Sequence, residues 1–275
     1  MSVDLAPEKH AAIECWTADP CGAVPGEPGT PDYARRLVAA RREYAPWMAE
    51  ALDYAGARGL DVLDVGCGQG IDLIGYAQAG ATVTGIDLTP RHVELAQRHL
   101  AAFGLSGDVA VADAESMPFP DASFDRVSSN GVLHHTPDMG AALREIHRVL
   151  RSGGQARIIL YNRHSLHYAI GQVGWHGLMR GGLRREGSMA KVLSTSVEKT
   201  SIGARPLVRV YTPAEVRTEL ERAGFAGVRT FVRHFRWEDI GWRPLKTRAP
   251  AFRSRIGATA GWYVVGIGST DRAGE

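Results

Sequence analysis

The chain has few cysteines: Cys15, Cys21 and Cys67 are all there are, and no two of them form a C-x-x-C pair. That excludes a zinc-ribbon spacing and a disulfide framework, so reduced thiols in a cytoplasmic protein are expected. No apolar stretch reaches the ~18 residues that read as a membrane span. The opening run MSVDLAPEKHAA carries acids and no apolar core, so it does not read as a secretory signal. What remains is ordinary for a soluble globular chain: 275 residues, 44% hydrophobic and 23% charged, enough to bury a full core without staples.

Net charge is only +2, but it is unevenly placed. Residues 1–150 hold 11 basic against 21 acidic side chains, and residues 151–275 hold 21 against 9. The basic half is read as solvated surface with Arg stems lying on apolar area, or as a surface for an anionic substrate.

The stretch that organises the chain is Leu60 to Gly70, LDVLDVGCGQG. Leu60, Val62, Leu63 and Val65 make the near-continuous apolar run of a strand buried on both faces. Gly66, Gly68 and Gly70 then form a turn leading into a helix from Ile71, and glycines are needed where backbone bends tightly or a ligand comes close. The spacing is G-x-G-x-G, not the G-x-G-x-x-G of a nicotinamide-binding turn. With Asp64 two residues before the first glycine, the run D-x-G-x-G-x-G resembles the first motif of the class I S-adenosylmethionine (SAM) dependent methyltransferases. SAM carries an ammonium, a carboxylate and a sulfonium but no phosphate. Asp64 is therefore expected at the ammonium and the turn N–H groups at the carboxylate.

Further features continue the resemblance. A second strand, Ala81 to Ile86, ends in Asp87 and Leu88, where a carboxylate can accept both ribose hydroxyls. A helix over 90–103 opens with Thr89-Pro90, and a third strand, Val109 to Ala112, precedes DAESMPF, whose Asp113 and Ala114 match the adenine-reading position of the family. FDRVSSN, ending in Asn130, resembles its fourth motif and leads into the loop GVLHHTPD. His134 and His135 on that loop are the candidate general bases, although one ring can instead pack beneath the cofactor. The loop lacks the N-P-P-Y or D-P-P-Y run of enzymes that methylate base amines. It also has no acid between Arg126 and Pro137, so a catechol-type magnesium site is not expected and no metal is assigned. Residues 138–150 read as an amphipathic helix with His147 on its exposed side and Gly153-Gly154 ending it; ARIILY, 156–161, is a fifth strand.

The resemblance implies an α/β fold: a doubly wound, seven-stranded Rossmann-like sheet whose last strand, Trp262 to Ile267, inserts antiparallel between the fifth and the sixth, Val228 to Phe235. The divisions expected are 1–57, an N-terminal helical arm whose first 30 residues are irregular; 58–161, the SAM-binding core; 162–210, an inserted substrate lid; and 211–275, completion of the sheet. Between the last two strands GWRPLKTRAPAFRSR reads as a basic surface loop, and DRAGE as a frayed tail. Tyr33, Arg36 and Tyr44 are candidates for covering the cofactor. Tyr33, Tyr161, Asn162, Arg163, His164, His167 and Trp175 are candidates for the acceptor pocket, and the stretch around Trp175 could also rest on a membrane. The resemblance implies methyl transfer from SAM, giving S-adenosylhomocysteine, to an O, N or C nucleophile of a small molecule. An RNA methyltransferase, a SAM-binding protein that transfers nothing, and a cyclase on the same fold stay open as alternatives, and so does a homodimer; no RNA-binding stripe is seen.

Overall fold

The computed structural model describes residues 5–198, 200–236 and 250–271, with backbone alone for 250–254. Helices α1 (Pro7–Ala18), α2 (Pro31–Tyr44) and α3 (Met48–Leu52) precede strand β1 (Asp61–Val65). Then come α4 (Ile71–Ala79), β2 (Thr82–Asp87), α5 (Pro90–Ala102), β3 (Asp108–Val111), β4 (Phe124–Asn130), α6 (Met139–Val149) and β5 (Leu150–Tyr161). A π-helix (His167–Met179), α7 (Gly182–Glu186) and α8 (Met189–Ser196) form the insertion; α9 (Pro213–Arg222), β6 (Ala226–Arg233), α10 (Pro250–Ala260) and β7 (Tyr263–Ser269) follow.

The seven strands lie in the order β3-β2-β1-β4-β5-β7-β6, with β7 antiparallel to both neighbours and the other pairs parallel. The order reverses direction between β1 and β4, and in such sheets the crevice outside the strand carboxyl ends at the reversal is where ligands bind. Period-two alternation sends Val62 into the core layer under α2–α5, and Leu63 and Val65 into the layer under α6 and α9. Helix α6 shows the same logic at helical spacing: Ala142, Leu143, Ile146 and Val149 are buried, while the Asp138 side chain accepts the Ala141 N–H as N-cap. At α9, Thr212 and Glu215 make a capping box, as the Thr-Pro-x-Glu spacing implies.

Five expectations are corrected. The first 30 residues are not irregular throughout, because α1 forms ahead of the Pro/Gly-dense stretch. The glycine pair 153–154 lies inside β5, since the chain extends straight from Leu150 when α6 ends. His147 is half-buried on the Phe225 ring at 5.1 Å, not a free surface residue. The helical spacing in the insertion belongs to a π-helix, in which the Arg180 N–H reaches the Trp175 carbonyl five residues back. Residues 250–255, expected within a loop, begin α10, whereas the remainder of that basic loop over 241–249 and the tail over 272–275 lie outside the described residues.

Candidate active site

At the β1–β4 reversal lies a cavity of about 1090 Å³, counting its open mouth. Its floor is the glycine turn. Gly66 has φ +73°, and a Cβ there would stand 2.4 Å from both Cγ atoms of Val132, so only glycine lets the turn pass under the β4 loop. Gly66 and Gly68 line the cavity, but Gly70 does not. With φ +82°, Gly70 instead brings the start of α4 against the Ala96 backbone of α5, where a Cβ would sit at 3.0 Å. Gly70→Ala is therefore expected to lower unfolding stability by about 1–3 kcal/mol, read by denaturant melts, through strain and not through a lost ligand contact.

The turn's own N–H groups are mostly used internally. Gly66 and Cys67 N–H donate to the Ile86 carbonyl at 2.7 and 3.0 Å, Gly68 N–H to Asp87 Oδ2 at 2.9 Å, and Gly70 N–H to the Cys67 carbonyl. Among the described residues the N–H groups of Ile71 and Asp72 at the start of α4 meet no acceptor, which leaves that helix terminus able to receive an anion.

Asp64 does not reach the cavity. It is buried behind the turn, where the Ser128 hydroxyl donates to it at 2.8 Å, and burial together with nearby Asp72 pushes its carboxyl well above the usual range. The acid that does line the wall is Asp72, held by Tyr54 Oη at 2.6 Å and Asn130 Nδ2 at 2.9 Å, with Arg41 Nη1 at 3.7 Å. Arg41 lines the wall as well. Neither stands out in the sequence. An acid in the first turn of a helix is an ordinary dipole preference, and Arg41 sits in a run of arginines that looks solvated.

Asp87 and Leu88 line the cavity as expected. Burial alone would push the Asp87 carboxyl up, yet His92 at 3.2 Å and the N–H groups of Thr89 and Gly68 outweigh this and hold it below its ordinary 3.8. Asp113, Ala114 and Asn130 also line it, but the Asp113 carboxylate is met by Lys9 Nζ at 2.5 Å, which bonds Glu115 at the same distance. Lys9, Ala12 and Trp16 put α1 over the cavity. The cover is thus α1, not the α2 residues expected: Tyr33 is buried and bonds Gln69 at 3.0 Å, Arg36 is exposed, and Tyr44 pairs with Tyr263.

At the far end stand His135, Tyr161 and Glu198. His135 Nδ1 lies 2.6 Å from the Leu207 carbonyl, so that nitrogen is the protonated one and Nε2 carries the lone pair, 3.8 Å from Glu198 Oε1. Tyr161 Oη donates to Glu198 at 2.7 Å. Burial lowers the His135 pKa below 6.5, partly offset by Glu198 and the Leu207 carbonyl. His134 is fully buried, its ring tilted between those of His135 and Tyr161 at 4.1 and 4.0 Å, and does not line this cavity; burial and His135 hold its pKa well below 6.5. Of the other acceptor candidates, Asn162 bonds the Gly261 carbonyl, Arg163 pairs with Glu215, His164 and Trp175 are exposed, and His167 packs on Trp262. None of these lines the cavity. Glu198 carried no sequence signal, because the insertion matches no motif.

These groups fit SAM's chemistry: Asp72 for its ammonium, Arg41 and the start of α4 for its carboxylate, Asp87 for its ribose, and Asp113 with Ala114 beside its base. His134, His135 and Glu198 also place ligand atoms within 4.8 Å of one another, the spacing a metal ion needs.

Residues 63–158 match the family described as a methyltransferase domain. The chain is 36% identical over 170 residues to the ubiquinone biosynthesis O-methyltransferase of Xanthomonas axonopodis pv. citri, covering 61% of this chain and 65% of that one. It is 37% identical over 138 residues to the enzyme of the same name from Pseudomonas fluorescens, covering 49% and 57%. The chain thus spans less than two thirds of these relatives. Among solved structures, PH0226 from Pyrococcus horikoshii superposes with TM-score 0.55 at 15% identity, over 86% of this chain and 92% of that one. The (4+2)-cyclase SpnF superposes with TM-score 0.54 at 20% identity, over 96% and 92%.

Proposed function

We propose, from the match of residues 63–158 to the methyltransferase-domain family and from the strand order of the sheet, that the chain transfers the methyl group of SAM to a hydroxyl oxygen of a small organic acceptor. When bound, SAM supplies a methyl carbon activated by its sulfonium. The observation that carries the choice of oxygen is the far end of the cavity, where His135 Nε2 faces in with a lone pair, its other nitrogen fixed on the Leu207 carbonyl. A neutral imidazole there takes the hydroxyl proton, and Glu198 at 3.8 Å stabilises the imidazolium that results. Tyr161, which donates to Glu198, keeps that carboxylate aimed. Trp16 from α1, its ring 5.5 Å from that of His135, keeps water from the reacting oxygen. The O-methyltransferase names of the relatives point the same way, although the fold shared with the cyclase SpnF also serves other chemistry.

Methyl-labelled SAM incubated with the protein and cell extract, fractionated into small molecules and RNA, is the test. Label is expected on oxygen in the small-molecule fraction. Label in RNA would make this an RNA methyltransferase, and retention of SAM with no label anywhere would make it a SAM-binding protein or cyclase. The same assay in excess EDTA is expected to run unchanged. A collapse reversed by added divalent metal would instead make His135 and Glu198 metal ligands.

A further inference from the structure

We propose that the π-helix His167–Met179 and the turn behind it are a docking surface for an anionic lipid bilayer. In this helix Trp175 is 54% exposed, Leu178 64%, Met179 76% and Ile170 45%, four large apolar side chains in one short element. Helix type makes them a single face. At an α-helical ~100° per residue the four would spread over about 180°, whereas the about 4.4 residues per turn of a π-helix gather them within about 115°. Large apolar groups left on a surface together mark an interaction site, and singly exposed ones do not.

The charges beside this face choose the partner. Arg180, Arg184 and Arg185 follow it, all exposed, and none has an ion pair among the described residues; the neighbouring acid, Glu186, is taken by Arg205. Residues 162–197 hold five basic side chains and that one acid. A tryptophan and aliphatic groups flanked by arginines suit the boundary between acyl chains and anionic headgroups. No helix among the described residues is long and apolar enough to cross a membrane, so the contact is one of lying on the surface. A second copy of the chain fits less well, because a two-fold contact would set each arginine cluster against its own duplicate.

Cosedimentation with vesicles of phosphatidylcholine and phosphatidylglycerol in equal parts, beside vesicles of phosphatidylcholine alone, tests this. The protein is expected to bind the anionic vesicles, to bind the neutral ones on the order of tenfold more weakly, and to be released by high salt. The triple variant R180E/R184E/R185E and the double variant L178D/M179D are each expected to lose vesicle binding by on the order of tenfold. Both should keep SAM affinity by calorimetry, which shows them folded. The proposal is overturned by absence of binding to anionic vesicles, by binding that neither variant weakens, or by a concentration-dependent dimer that L178D/M179D disperses.

Discussion

Alanine at position 135 is expected to lower the single-turnover methyl-transfer rate by about 10²–10³-fold while leaving SAM affinity within a few-fold of the parent, because a positioned base contributes that much and does not hold the cofactor. The geometry sets the expectation: Nδ1 is committed to the Leu207 carbonyl at 2.6 Å, so the ring cannot turn over and Nε2 must face the cavity. The dependence on pH follows. Burial lowers the His135 pKa, so the ring stays neutral further into acid than a free histidine. The rate should be flat through neutrality and fall only below the ordinary 6.5, as the lone pair is lost. Added imidazole should restore part of the rate to His135→Ala, since the truncated side chain leaves room for it. Equal losses of rate and SAM affinity would make the ring a cofactor contact instead.

Asp87→Ala should weaken SAM binding on the order of 10²-fold, measured by calorimetry. The Gly68 N–H and His92 Nδ1 meet its Oδ2 at 2.9 and 3.2 Å and the Thr89 N–H meets Oδ1 at 2.8 Å, which fixes the carboxylate and leaves Oδ1 with a lone pair for a ribose hydroxyl. A hydrogen bond to a charged group contributes about 1.5–3 kcal/mol, and a hundredfold loss, about 2.7 kcal/mol, lies in that range. The variant also frees the Gly68 N–H and loosens the turn, which adds to the loss. Asp64→Asn is the contrasting control. Because Asp64 is buried against Ser128 and its carboxyl is pushed up, the amide replaces it with little effect on SAM affinity. A loss at Asp64 equal to that at Asp87 would return Asp64 to the cofactor.

Most of the sheet was legible because its signals are local. An apolar run followed by G-x-G-x-G specifies strand, turn and helix from neighbouring residues, and the same holds for Thr89-Pro90 and for the capping box at Thr212. The placements of Asp87, Asp113 and His135 follow from the strand ends they occupy, since strands of one parallel sheet bring their carboxyl ends to one edge.

What the residues alone settled is therefore the order of the strands, the helices α4, α5, α6 and α9 that accompany them, and the edge at which the strands end. Only tertiary structure decided which side chains face that edge. Asp64 and Asp72 are both acids beside the glycine turn, yet the pairing of β1 with β4 buries one against Ser128 and the start of α4 turns the other to the cavity. Likewise His134 and His135 are adjacent in sequence, but one is packed under Tyr161 and the other opens onto the site. Lys9, Arg41 and Glu198 come from segments 32 or more residues apart, and nothing in their surroundings marks them. Long-range packing brings them together, and its specificity lies in how surfaces fit one another, not in the order of residues within any one segment.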